Sequence, residues 1–282
     1  MSALLLGLPM YNIAPKATRL WVRLLRMVAE AIRPELAGNE KTRVIQSWQQ
    51  RKTTDFWRHP QLLLGQACGY PLLTQLATMP EPPQVIARMA FAFPGCETGL
   101  YHSKIIVRAK APQQCFDELA NTTAAINSMN SHSGMNALRH LIAQLPRASS
   151  SGHFFSHLAI SGSHPQSAQW VADGVADTAA IDCITWQLLE EYAPQLTTRL
   201  KVLCHSAATP GLPLICAAGM RPRLIQVLRH KLITLHLDHS PLMHKLHLLR
   251  FISADQADYQ VVLDQKAAAE KLDWNMGKLT DS

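Results

Sequence analysis

Short apolar runs alternate with segments of helical periodicity along most of the chain, and this alternation restricts the fold more than any other feature. Residues 4–10, 61–64, 85–93, 101–108, 122–126, 157–160, 176–181, 202–206 and 214–217 read as strands, bounded by Gly, Pro, Asn or Ser. Between them, residues 17–36 carry Leu20, Trp21, Leu24, Leu25, Val28 and Ile32 at helical spacing. Further helical patterns start at Pro71 and cover 135–145, 164–171, 224–235 and 255–271. Strands that alternate with helices predict an α/β architecture. There are no internal repeats and no low-complexity linker, so two lobes are expected from a chain that crosses over twice. With crossings near Gly99 and near 195–208, residues 1–98 and 208–282 make a discontinuous first lobe, and 99–207 an inserted second lobe.

A chain of 282 residues buries a sizeable core without disulfides or metal. Apolar residues are 48% and charged residues 17%, which excludes a disordered chain. The net charge of +7 suits anionic partners. The longest uncharged stretch, 59–80, is broken by Gln61, Gly65, Gln66, Gly69 and Pro71, so it is no transmembrane helix. The six cysteines form no CxxC pair and no zinc spacing. The opening MSALLLGLPMYN has its first basic residue at Lys16 and an apolar run broken at Pro9, unlike a secretory leader. The expected place is therefore cytoplasmic, with reduced thiols, and periplasmic only if the recorded start is internal.

Four strand-to-helix turns carry the chemistry. Asn127 to Gly134, NSMNSHSG, leads into a helix whose start offers free N–H groups and the positive end of the macrodipole. The hydroxyls of Ser131 and Ser133 add two donors beside His132 and Gly134; the plainer reading is helix capping. Gly162-Ser163-His164-Pro165 places Pro165 in a first turn and His164 near the cap, where it either contacts an anion or is a surface histidine. Gly65 to Pro71, GQACGYP, offers Tyr70 to a ligand or packs it. Asp182 closes the buried run AAID, where an acid is either a cap or a ligand contact. All four turns lie where open α/β sheets bind ligands.

Other chemistries find no motif. There is no HExxH, P-loop, GxGxxG or GxSxG. His153 and His157 have no acid between them, and the other histidines are scattered. No metal and no cofactor is expected. Residues 221–250 are rich in Arg, Lys and His with leucines at helical spacing. They read as a helix with a solvated basic face, and not as a nucleic-acid patch, and most of the excess charge is expected on the surface of the carboxyl-terminal lobe.

The order LPMYN, GQACGYPL, PGCETGLYHSKIIVR, NSMNSHSGMNALR, GSHPQSAQWVADGVADTAAIDCITW, PGLPLI resembles the phosphate/phosphite/phosphonate transporter substrate-binding family, a branch of the type II periplasmic binding proteins. The likeness spans residues 8 to about 217. It implies a two-lobed type II periplasmic binding protein-like α/β fold with a ligand cleft between the lobes. It further implies an anion held by Ser131 and Ser133, with His132 and Gly134 in the same helix start, and by Ser163, His164 and Asp182. Tyr11 and Tyr70 would close from the opposite lobe, and Tyr101 would sit at the crossing. The family's paired cysteine positions match Cys68 and Cys96.

The expected function is a solute-binding protein that closes on a small anion, of phosphate or phosphonate type, without chemistry. A membrane permease is a partner only if the chain is exported. The alternative is a cytosolic enzyme on the same fold acting on a small anionic metabolite, using His164 or Cys68 with Asp182, Cys68 beside a helix start being the candidate nucleophile. The sequence carries no signal of oligomeric state.

Overall fold

The computed structural model describes residues 3–48, 52–145, 152–270 and 276–279. Its strands, in chain order, are β1 (Leu4–Gly7), β2 (Thr42–Val44), β3 (Leu62–Gln66), β4 (Gln84–Phe91), β5 (Leu100–Tyr101), β6 (Ser103–Arg108), β7 (Thr123–Ile126), β8 (His157–Ile160), β9 (Thr178–Asp182), β10 (Leu200–His205), β11 (Thr209–Pro210), β12 (Pro213–Cys216), β13 (Leu248–Ser253) and β14 (Lys278–Leu279). Each run read as a strand in the sequence falls on one of them. The fold is α/β, and the chain divides into two compact units: Met1–Leu100 with Pro210–Gln260, and Tyr101–Thr209 with Val261–Ser282.

In the first unit the sheet order is β13-β4-β12-β3-β1-β2. β1 pairs in parallel with β2 and β3, and β12 lies antiparallel between β3 and β4. The central β3 is buried along its whole length, which is why it reads as a continuous apolar run without alternation. The helix Pro15–Ala31 buries Ala17, Trp21, Leu24, Leu25 and Val28 along one stripe. It stops short of the expected residue 36 because Pro34 has no N–H and its ring clashes with the preceding turn. A short 3-10 turn, Arg33–Glu35, follows.

Residues 221–250 do not form one helix. They fold as helices Pro222–Asp238 and Ser240–Lys245 and then enter β13, antiparallel to β4. His247, at φ 52°, supplies the left-handed residue that turns helix into strand. The leucines of LHLLRFIS satisfy both helical and strand spacing, so period alone does not separate the two. Part of the presumed solvated basic face is turned inward: Arg229 donates from Nε and Nη2 to the carbonyls of Ile86 and Val85, each at 3.1 Å.

In the second unit the order is β10-β6-β9-β7-β8-β14. β7 runs parallel to both β8 and β9, and β6 is antiparallel to β9 and β10. Ala124, Ala125 and Ile126 of β7 and Ala179, Ala180 and Ile181 of β9 are fully buried, and their small side chains let helices pack close on the sheet. Residues 208–282 were expected to stay together in the first lobe, but Val261 onward belongs to the second unit. The cause is Met276, which enters the core of Phe154, Phe155 and Leu158. Its carbonyl accepts from Phe155 N–H at 2.9 Å, and β14 then pairs in parallel with β8. No helix among the described residues is long and apolar enough to cross a membrane. The expected loop at 149–152 lies outside the described residues save Gly152.

Candidate functional site

A polar cluster lies in the second unit, at the ends of β7, β8 and β9. β7 delivers the chain to Asn127, and a turn brings it to Ser131, the cap of the helix that starts at His132. Ser131 Oγ accepts from Gly134 N–H at 2.9 Å, the capping geometry expected of a serine there. The first turn is widened: Asn136 N–H reaches back five residues to the Ser131 carbonyl at 3.1 Å before the helix continues as Ala137–Ala143. Widened turns of this kind recur at functional sites. The N–H groups of His132 and Ser133 belong to the opening turn, where no intrahelical partner exists.

Two more turns converge on this helix start. Ser163 caps the helix His164–Asp173 through Gln166 N–H, at 3.3 Å, and so fixes His164 as its first residue. Asp182 ends β9 and caps the next helix, Cys183–Tyr192, accepting from Thr185 N–H at 2.9 Å. His164 Nε2 lies 2.8 Å from Ser133 Oγ and 3.5 Å from Asp182 Oδ2. Ser131, His132, Ser133 and Asp182 are buried, and the His164 side chain is 11% exposed. The structure therefore brings Ser131, His132, Ser133, Gly134, Ser163, His164 and Asp182 into one neighbourhood.

Serine and aspartate meet His164 on the same ring nitrogen. In a nucleophilic triad they address opposite nitrogens, so that the ring relays a proton between them. The arrangement instead lines up a hydroxyl, an imidazole and a carboxylate side by side, which suits binding an oxyanion that carries one proton. Burial lowers the pKa of His164, an effect that the Asp182 carboxylate partly offsets. Burial, with a smaller contribution from His140, pushes His132 down to about 4. Both rings are thus neutral near pH 7.

A pH dependence follows. In the unfolded chain these histidines take up a proton near 6.5, whereas the folded protein holds His132 neutral down to about 4. Stability is full above the unfolded value and is lost as pH falls through that window, by at most about 1.4 kcal/mol per pH unit from His132. Urea unfolding at pH 7 and pH 5 will show the loss, and His132→Gln will make it shallower; an unchanged slope would refute the assignment to His132.

Several polar atoms here have no partner among the described residues: Asn127 Oδ1, His132 Nδ1 and Asn136 Nδ2. Native proteins rarely leave such buried groups unpaired. Residues not singled out from the sequence complete its frame. Ser103 Oγ donates to the Ser133 carbonyl at 2.7 Å, and Thr209 Oγ1 sits 3.1 Å from His132 Nε2. Nothing local marks Ser103 or Thr209, which are brought in by β-sheet pairing; Asn127 opens the NSMNSHSG motif, and Asn136 lies two residues beyond it.

Of the three tyrosines, Tyr101 is buried in the second unit with its ring 6.3 Å from that of His132. Tyr11 and Tyr70 belong to the first unit. Tyr11 is buried in the left-handed conformation, φ 63°, edge-on to Phe91 at 5.7 Å. A bulky residue there is a genuine outlier. Beside it, Gln66 at the end of β3 is fully buried. Its Oε1 accepts from Met10 N–H at 3.2 Å, and Nε2 has no partner among the described residues. Tyr70 is half-buried, in the short helix Gly69–Pro71. Among the described residues no group of three or more His, Cys, Asp or Glu is placed to hold a metal.

Comparison with known proteins accords with this reading. No curated protein matches the chain. Among solved structures, PhnD1 of Prochlorococcus marinus, in complex with methylphosphonate, aligns with a TM-score of 0.75 at 17% identity, over 96% of this chain and 99% of that one. A binding protein component of an ABC phosphonate transporter from Pseudomonas aeruginosa gives 0.76 at 14% identity, over 95% and 87%. XAC2383 of Xanthomonas citri, bound to ATP, gives 0.69 at 17% identity, over 96% and 98%. These likenesses establish the fold as that of periplasmic binding proteins. The family model described as "ABC transporter, phosphonate, periplasmic substrate-binding protein" matches residues 77–259, more than half of the sequence. This chain belongs to the family of periplasmic substrate-binding proteins of phosphonate ABC transporters.

Proposed function

We propose that the chain binds a phosphonate- or phosphate-type anion at the helix start Ser131–Gly134 and releases it unchanged. The observation that carries this reading is the convergence of Ser133, His164 and Asp182 at a helix start whose neighbouring buried polar atoms lack partners. Ser133 Oγ and the N–H groups of the first turn donate to the ligand oxygens. Asp182 accepts the proton of a monoprotonated phosphonate, and His164 sits between the two. Ser131 and Ser163 act as caps that hold Ser133 and His164 in place, and Gly134 keeps the turn open. Tyr101 shields His132, while Tyr11 and Tyr70 are the contacts proposed for the first unit.

Family membership makes the partners a small ligand and a membrane permease. It gives no support to the expected cytoplasmic place, because the family is periplasmic; the proposed site of action is the periplasm. Calorimetric titration with methylphosphonate tests the proposal: one site per chain is expected, and an absence of binding heat at several temperatures overturns it.

A further inference from the structure

The net charge is unevenly distributed. The first unit has 17 basic and 9 acidic residues, and the second has 10 and 11. All of the excess therefore sits in the unit that lacks the Ser133–His164–Asp182 cluster. Within that unit residues 1–100 hold 11 basic and 6 acidic residues, and residues 210–260 hold 6 and 3.

On the helix Pro15–Ala31, Arg19, Arg23, Arg26 and Glu30 follow one another at helical spacing along the exposed face, and Arg33 continues the line. Arg33 pairs with Glu30. Arg88, Arg108, Arg199, Arg221 and Arg223 also have acidic partners. Arg19, Arg23 and Arg26 have none among the described residues, and neither does the exposed Arg43 on β2.

A groove of about 930 Å³ runs between this helix and β2, with Arg26, Glu30 and Arg33 on one wall and Thr42, Arg43 and Val44 on the other. It has room for several residues of an extended chain. Among the described residues β2 is the last strand of its sheet, with β1 as its one neighbour. The Lys41 carbonyl accepts from Leu4 N–H, and Ile45 N–H donates to the Leu6 carbonyl, both at 2.8 Å. The alternate residues Thr42 and Val44 therefore turn their backbone N–H and C=O away from β1, as strand geometry requires. An open strand edge is a template for pairing with another chain.

We propose that this groove takes an extended, acidic segment of a partner protein, added as a strand to β2 with its carboxylates on Arg26 and Arg43. A small anion would satisfy the arginines but leave the groove and the strand edge empty. A nucleic acid would satisfy the arginines but could not pair with the backbone of Thr42 and Val44. A polypeptide meets both needs, with backbone pairing giving affinity and charge giving selectivity.

The test uses the full chain and a fluorescent hexapeptide that alternates glutamate with valine, read by anisotropy. Saturable binding is expected, weakened by salt and by replacing glutamate with glutamine. Arg26→Gln combined with Arg43→Gln should weaken it roughly tenfold. Thr42→Pro, which removes an outward N–H at an edge where proline is tolerated, should weaken it to a similar degree. Unchanged thermal midpoints will show that the variants fold. The proposal is overturned if the acidic peptide binds no better than its glutamine analogue, or if Thr42→Pro has no effect. It is also overturned if a DNA duplex binds equally well and is insensitive to Thr42→Pro. Methylphosphonate titration of the same variants reads the other unit and separates failure here from failure of the anion site.

Discussion

Ser133→Ala will lower the affinity for methylphosphonate by about tenfold to a hundredfold, the equivalent of a charge-assisted hydrogen bond worth about 1.5–3 kcal/mol. The substitution removes one oxygen and little else. The Ser133 carbonyl stays pinned by Ser103 Oγ, and the helix stays capped by Ser131, so the backbone donors keep their positions. His164 keeps Asp182 as its neighbour at 3.5 Å. Stability should therefore move by less than about 1 kcal/mol, as for a single neutral hydrogen bond. Calorimetry and urea unfolding on the same preparation separate the two effects. A Ser133→Ala protein with wild-type affinity would remove Ser133 from the site, whatever happened to stability.

Gly134→Ala carries the second large effect, and its sign is opposite to the usual one. Alanine in place of glycine in a helix normally stabilises, by about 1 kcal/mol. At residue 134 a Cβ would lie 1.9 Å from Asn127 Oδ1 and 3.2 Å from Ser131 Oγ. The Asn127 amide must swing out and the capping serine must give way, which should cost about 1–3 kcal/mol, as for other overpacked sites. The anion donors move with the turn, so affinity should fall as well. Asn127→Ala in the same chain removes the main obstacle and should restore much of the lost stability, a coupling that a double-mutant cycle measures. If Gly134→Ala is neutral or stabilising in urea unfolding, the packing described for this turn is wrong.

What was legible in the sequence was local. Serine at residues 131 and 163 and aspartate at 182 all cap helices, and capping is written in a few consecutive residues. The same holds for the apolar runs of β3, β7 and β9. Partners brought in by the sheet were not legible: the strands holding Ser103 and Thr209 carry them to the helix start at His132 and Ser133, and no spacing in the chain encodes it. β13 was hidden because its leucines fit two periods. The departure of Val261 onward from the first unit rests on Met276 entering a core, and β14 pairing with a strand, that lie far from them in sequence. Gln66 lay within a noticed motif, but only its complete burial shows that the amide is committed to Met10.

The most direct test of the anion site is a crystal structure grown with methylphosphonate. Phosphonate oxygens are expected within hydrogen-bonding distance of Ser133 Oγ and the first-turn N–H groups, with Asp182 facing the protonated oxygen. A ligand held elsewhere in the chain, with the helix start at Ser131–Gly134 occupied only by water, would contradict it.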